Sequence, residues 1–300
     1  MPEGEHIYPN RDTLTIKEIT RLIKIFSSTG IKKVRLTGGE PLVRKGIARL
    51  VSDLKELPGI DEVTLTTNGV LLGGMISSLK DAGLDRINIS LDTLKPERMH
   101  KLTGYDVLDK VVSTIEKISA NSTWPLKLNV VAIRGLNDDE ILDFAALAHR
   151  LPLEVRFIEM MPTPGNRIDG KNLPLPGSEI EEIIRLRYGL NPIENLHNMS
   201  GPAMTYGISG GAGRIGIVTP MSKRFCSSCN RLRLTAEGRL RSCLFSEDET
   251  DLKSGLLSGE PDEWFLERFR SALKCKPEGH DLGFKTPNQS AGKPMPLIGG

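Results

Sequence analysis

Five times between residues 16 and 159, apolar residues at helical spacing give way to a short run of β-branched or alternating residues. Thr15-Ile16-Lys17-Glu18 has the form of a capping box. Ile16, Ile19, Leu22, Ile23 and Phe26 follow at helical spacing, with a stop at Gly30. A strand over Lys33–Thr37 ends in Gly38-Gly39-Glu40-Pro41. Ile47, Leu50, Val51 and Leu54 mark a helix stopped by Pro58-Gly59, and Val63–Thr67 reads as a strand. A helix near Met75–Ala82, a strand over Arg86–Asp92, a helix near Val107–Ile118 and a strand over Lys127–Ile133 follow. Asn137 with Glu140 reads as the cap of a helix running to about Arg150, and Leu153–Glu159 is a further strand. Strands and helices alternating through short connections require a parallel sheet with right-handed crossovers. That leaves a doubly wound sheet and a full or partial β/α barrel open. The strand ends favour the barrel: Gly38-Gly39-Glu40, Thr66-Thr67-Asn68, Ser90, Asn129 and Glu159 would converge on one mouth, where sites are built.

After Pro162 the pattern changes. Pro164, Pro174 and Pro176 suggest a linker, followed by a helix near Glu179–Tyr188 and a strand over Gly213–Val218. A cysteine-bearing hairpin turns at Glu237-Gly238, and a helix near Asp262–Leu273 precedes a tail ending in Gly299-Gly300. The expected organisation is a barrel over residues 1–162 and a smaller α+β domain over 163–300 lying across its mouth. A chain of 300 residues with 38% hydrophobic content suffices for both. A formal charge of +2 excludes a global attraction to nucleic acid or membrane, so any anion site must be local. The apolar runs are short and broken by charge, giving no transmembrane helix and no secretory signal.

Three of the four cysteines cluster as Cys226-x2-Cys229 and, thirteen intervening residues on, Cys243. Clustering of this kind reads as metal binding rather than a disulfide framework. A structural zinc site needs a fourth ligand, for which only the distant Cys275, His280 and His197 offer themselves. Three thiolates also suit an iron–sulfur cluster with one open iron. Spacing alone leaves both readings open. Between the cysteines stands Arg231-Leu232-Arg233, whose guanidiniums share one face of a strand.

Lys33, Arg35, Lys127 and Arg156 all fall in strands. Alternation could point them outward to solvent; pointing into a barrel they are costly unless paired or facing a ligand, and four such cases favour an anion pocket. No GxxxxGK[ST] segment exists, and Gly207–Gly213 reads as a hairpin loop, so phosphates would not be held by a P-loop.

Together these residues resemble the radical S-adenosylmethionine enzymes, and among them the GTP 3′,8-cyclase family of molybdenum cofactor biosynthesis. Carrying the resemblance are Arg35-Leu36-Thr37-Gly38-Gly39-Glu40-Pro41-Leu42, Thr66-Thr67-Asn68-Gly69, Asn88-Ile89-Ser90-Leu91-Asp92, Arg156-Phe157-Ile158-Glu159, the Phe225–Leu234 segment, Cys243-Leu244-Phe245 and the terminal Gly299-Gly300. The resemblance implies a partial (β/α)6 barrel with a C-terminal domain over its mouth. It implies S-adenosylmethionine held near Gly39, Ser90 and Met161, and GTP held by Lys33, Arg35, Thr66, Lys127, Arg156, Arg231, Leu232 and Arg233. It places a 4Fe–4S cluster on Cys226, Cys229 and Cys243, with the iron open to guanine, and brings Gly299 and Gly300 into the active site. The reaction it implies abstracts the ribose H3′ of GTP with a 5′-deoxyadenosyl radical and closes C3′ on C8. The implied partners are GTP, an electron donor such as flavodoxin or ferredoxin, and the downstream cyclic pyranopterin phosphate synthase. A homodimer is compatible with it, and the expected compartment is the cytoplasm, or the mitochondrion in a eukaryote.

One departure matters. The family's first cluster sits on C-x3-C-x2-C, followed by Met-Pro-Glu. Here the first cysteine is Cys226 and the sequence opens Met1-Pro2-Glu3. The expectation is an N-terminal truncation that removes this segment, the first barrel strand and an upstream arginine, exposes the edge of the Lys33–Thr37 strand, and leaves this polypeptide unable to make a radical. Met160 replaces a usual tyrosine without consequence. Two alternatives stand beside this reading: a non-catalytic GTP-binding iron–sulfur remnant, and a zinc-stabilised nucleic-acid module, which the near-neutral charge and few aromatics disfavour.

Overall fold

A computed structural model describes residues 13–161, 173–193 and 202–279. Helices α1 (Ile16–Ser27), α2 (Ile47–Lys55), α3 (Ile76–Asp81), α4 (Pro96–Thr103), α5 (Leu108–Ala120) and α6 (Ile141–Arg150) alternate with strands β1 (Lys33–Leu36), β2 (Glu62–Thr67), β3 (Arg86–Ser90), β4 (Leu126–Arg134) and β5 (Glu154–Glu159). Then come β6 (Leu173–Pro174), α7 (Gly177–Arg187), β7 (Leu190–Pro192), β8 (Ala203–Ile208) and β9 (Arg214–Val218). The chain continues through β10 (Arg233–Leu234), β11 (Arg239–Arg241), β12 (Thr250–Asp251), α8 (Lys253–Ser258) and α9 (Asp262–Lys274).

The main sheet runs β1-β2-β3-β4-β5-β9-β8-β7, parallel from β1 to β9 and antiparallel through β8 and β7, with β6 appended to β4. Among the described residues β1 is one edge. The sheet does not stop at residue 162. Strand β9 pairs with β5 from Glu154–Arg214 to Ile158–Val218, so much of the later chain widens the wall instead of lying across it.

Side chains alternate between faces of a strand, and the parallel register extends that alternation across the sheet. One face carries Val34, Val63, Leu65, Ile87, Ile89, Leu126, Leu128, Val130, Val155, Phe157, Ile215 and Ile217, all buried. The buried residues of α2, α3, α5, α6 and α7 join this face in one apolar cluster. Helices thus cover one face, as in a barrel wall and unlike a doubly wound sheet. A second cluster joins Leu22, Ile25 and Phe26 of α1 to Leu240, Leu252, Phe265 and Phe269, with Phe26 stacked on Phe269 at 4.6 Å between centroids. Each such side chain contributes about 1.5–3 kcal/mol on burial. This core ties the small β10-β11-β12 sheet to α1, and the Leu14 N–H donates to the Ala236 carbonyl at 2.7 Å beside its hairpin turn.

The Thr15 capping box forms as expected, with the Glu18 N–H donating to Thr15 Oγ1 and the Thr15 N–H donating to Glu18. The cap assigned to Asn137 and Glu140 does not. Asn137 does stand at the N-cap position of a 3-10 turn over Asp138–Glu140, but its side chain makes no capping bond; its carboxamide donates to the carbonyls of Asp92 and Val131 and accepts from the Ile133 N–H, stitching the end of β3 to β4. Glu140 is fully buried and accepts from Thr93 Oγ1 and the Leu94 N–H at 2.7 and 2.6 Å. A pair with the spacing of a helix start is here a tertiary strut. Asn129 lies within β4 and not at its end, and the Arg86–Asp92 strand closes at Ser90. Within the glycine-rich Gly207–Gly213 segment, Gly207 still pairs with Arg214 in the ladder, and the turn between β8 and β9 follows Ile208. There a Cβ on Gly213 would fall 2.2 Å from the Leu153 carbonyl, so only glycine fits.

Candidate active site

The face opposite the helices is polar. Its rows read Lys33–Glu62, then Arg35–Thr64–Arg86, then Thr66–Asn88–Lys127–Glu154–Arg214, then Ser90–Asn129–Arg156–Gly216. The four basic residues singled out in the sequence do share one face. Arg86, Asn88 and Glu154 stand with them. The sequence reading missed these three, although the same period of two runs through Arg86-x-Asn88-x-Ser90.

Two carboxylates partly offset the cations. Glu62 pairs with Lys33 at 2.5 Å and with Arg86 at 2.8 Å. Glu154 accepts from Lys127 Nζ at 2.8 Å and pairs with Arg156 Nε. Burial works against the Glu154 carboxylate, but the Arg156 and Lys127 charges override it and hold its pKa below the usual value. Burial first and the Arg156 charge second push Lys127 down to about 8, against the pull of Glu154. Orphaned polar atoms remain among the described residues: Nε of Arg86 and Oδ1 of Asn88, whose amide nitrogen donates to Thr66 Oγ1 at 3.2 Å.

The hairpin arginines face this set. Burial, and then the charges of Arg231, Arg156, Arg86 and Arg233, lower the pKa of Arg35 to about 10. Arg35 is nevertheless accessible to solvent, so it lines a space enclosed on several sides. Among the described residues it has no carboxylate partner. Arg233 is likewise lowered to about 10 by burial, then Arg231 and Arg241, while Cys229 and Cys243 act in the opposite sense. Cations crowded in this way favour an anion between them.

The cysteines follow from the hairpin. Arg233 pairs with Arg241, so Cys229 and Cys243 leave its two strands at the same open end. Cys226 begins a single 3-10 turn, closed by the Cys229 N–H donating to the Cys226 carbonyl at 3.0 Å. All three are free, half-buried thiols, whereas Cys275 is exposed on another element. Among the described residues no three Cys, His, Asp or Glu side chains close around a single metal ion. By donor chemistry, three free thiols at one end of a hairpin beside arginines suit a soft metal centre, an iron–sulfur cluster among them. His197 and His280, like Gly299 and Gly300, lie outside the described residues.

The sulfonium-binding candidates lie at the C-terminal ends of the parallel strands. Gly39 follows β1, Ser90 ends β3 and Met161 lies just past β5. Gly38 has φ +137°, with open space where a Cβ would be. The next carboxylate is structural. Buried Glu40 accepts from Thr67 Oγ1 and from the N–H groups of Asn68 and Leu42 at 2.7, 2.8 and 3.0 Å, lashing the β1 loop to the β2 loop. Glu159, fully buried, does the same for the later chain, accepting from the N–H groups of Gly177, Met221 and Ser222 at 2.8, 3.0 and 2.9 Å.

A family model described as the radical SAM superfamily matches residues 3–148, and one described as molybdenum cofactor synthesis C matches residues 153–282. The GTP 3′,8-cyclase of Moorella thermoacetica is 45% identical over 299 residues, covering 99% of this chain and 90% of that protein. The chain belongs to the GTP 3′,8-cyclase family. The protein of that name from Syntrophomonas wolfei is 45% identical over 283 residues, covering 94% of this chain and 86% of its own length. This is therefore an enzyme of a radical SAM family serving molybdenum cofactor synthesis. Among solved structures, SuiB of Streptococcus suis bound to S-adenosylmethionine is similar at 19% identity and a TM-score of 0.44, over 60% of this chain and 41% of that one, too distant to bear on the site. No helix among the described residues is long and apolar enough to cross a membrane.

Proposed function

We propose that the polar face of the sheet, in a partial (β/α)6 barrel, holds the triphosphate of GTP. The cysteine hairpin presents the guanine end, for conversion of GTP to 3′,8-cyclo-7,8-dihydro-GTP. The observation that carries this reading is the crowding of Arg86, Arg156, Arg231 and Arg233 around Arg35. Lys33, Arg35, Lys127 and Arg156 offset the triphosphate charge, and the orphaned Arg86 Nε offers a further donor. Thr66 adds a hydroxyl to the triphosphate contacts, and Arg231, Leu232 and Arg233 flank the base. Gly39, Ser90 and Met161 hold S-adenosylmethionine at the strand ends, where Glu40 fixes the loop that carries Gly39. Cys226, Cys229 and Cys243 would hold a 4Fe–4S cluster. When bound, that cluster supplies an open iron for the purine, and S-adenosylmethionine with the family's other cluster supplies the radical. The protein's own part is to align C3′ with C8 and to keep water and other hydrogen donors away.

The polypeptide as given has no C-x3-C-x2-C segment, so it should bind one cluster and turn over no GTP. Iron and sulfide analysis after anaerobic reconstitution tests this: about four irons per chain are expected, and near eight would sink the claim. Calorimetry with GTP and guanosine tests the substrate assignment. GTP should bind at least about a hundredfold more tightly through its phosphates; equal affinity would overturn the role given to the cationic face.

A further inference from the structure

Lys276 belongs to no motif and follows helix α9. Its ammonium donates to two backbone carbonyls, those of Arg231 and Ser242, at 2.7 Å each. Arg231 lies just past Cys229, and Ser242 immediately precedes Cys243. The two carbonyls therefore stand on opposite arms of the hairpin, beyond the Arg233–Arg241 pair where its short ladder has ended. One ammonium closes the gap that the ladder leaves open. Each contact is charge-assisted, hence stronger than the backbone rung it replaces.

Lys276 is itself anchored. Its N–H donates to the Leu273 carbonyl, extending α9 by a turn, and Phe265, Phe269 and Ala272 fix α9 in the second core. A second cation grips the next part of the same arm. The fully buried Arg241 side chain donates to the Ser246 carbonyl and pairs with Glu249 at 2.9 Å. The loop after Cys243 is thus held from both ends by cations on carbonyl oxygens.

We propose that Lys276 is a positioning residue. It sets the separation between the arm carrying Cys226 and Cys229 and the arm carrying Cys243, so that the polypeptide offers three thiols at cluster spacing before any iron arrives. The proposal rests on these cysteines being the cluster ligands. It differs from a general stabilising role because the ammonium bonds to both arms and, among the described residues, Lys276 is no member of the apolar core.

The test uses the full chain, reconstituted anaerobically, as wild type, Lys276→Met and Lys276→Arg. Three quantities are measured: iron per chain, the rate of iron loss to a chelator, and the thermal midpoint of the metal-free protein. Lys276→Met should lose iron about tenfold faster or more, the fold-change one charge-assisted hydrogen bond carries. Its reduced-cluster electron paramagnetic resonance signal should broaden, and its metal-free midpoint should stay within a few degrees of wild type. Lys276→Arg should restore most of the retention. An iron-loaded wild type beside an unchanged loss rate in Lys276→Met overturns the positioning role alone. A large fall in the metal-free midpoint with no rescue by arginine also overturns it, assigning Lys276 to fold stability. A wild-type chain that takes up no iron overturns the cluster reading and the lysine's role with it.

Discussion

Arg156 and Phe157 are neighbours on β5 and face opposite ways. Phe157 is fully buried among helices, edge-on to Phe144 at 6.3 Å between centroids. Arg156 stands among other cations with Glu154 as its carboxylate partner. One face of the sheet draws its stability from burial and needs nothing further. The other accumulates like charges and unpaired polar atoms, a cost that a bound anion relieves. The pleat separates fold from function at a spacing of one residue.

Substitutions can break that comparison. Phe157→Ala should cost about 3–5 kcal/mol in denaturant unfolding, with the GTP affinity of the folded fraction unchanged; a parallel loss of affinity would show the faces to be coupled. Arg35→Ala should do the converse. It should weaken GTP binding by about 1.5–3 kcal/mol, the value of hydrogen bonds to a charged group, and leave the free protein no less stable, because a crowded cation is removed. A destabilisation comparable to that of Phe157→Ala would refute this.

Lys127 sharpens the comparison through pH. Its pKa of about 8 lies below the ordinary lysine value, so between these the unfolded chain holds the extra proton. Its contribution to stability should therefore rise with pH above about 8 and be flat below. GTP affinity should move the other way, falling a few-fold as the ammonium discharges through about pH 8. Titration calorimetry from pH 7 to 9 on wild type and Lys127→Gln checks this, and equal slopes would refute it. The smallest effect belongs to neither face: Thr15→Ala should cost about 1 kcal/mol through loss of the α1 cap, with GTP binding and iron content untouched.

Most of the wall was legible in the sequence because its period is local. The Thr15 box, the alternation through Lys33 to Leu36 and the apolar spacing of Leu50, Val51 and Leu54 each specify one element. Helix α4 was missed although Pro96 opens it and Gly104 closes it at φ +78°, because only Met99 is buried along it and no apolar stripe announces it. Asn137 and Glu140 misled because a polar side chain's choice between a neighbouring N–H and a distant backbone is made by tertiary contacts. The pairing of β9 with β5 left no local trace. For the site, the cationic strand positions and the cysteine hairpin were legible separately. That Arg231 and Arg233 oppose Arg35 depends on the α1–α9 core. Glu154 went unnoticed because the sequence gives a lone glutamate no partner.

The strand pairing of β4 with β5, from Lys127–Glu154 to Ala132–Glu159, has a consequence for how the two halves are inherited. The two family-model spans meet between residues 148 and 153, which places β4 on one side and β5 on the other. The seam between the modules is thus an interior seam of a continuous hydrogen-bonded ladder. Cut there, each half would present a bare strand edge, the surface that recruits foreign strands. Recombination at the seam would have to exchange matched edges. The two modules should melt together, in one cooperative transition.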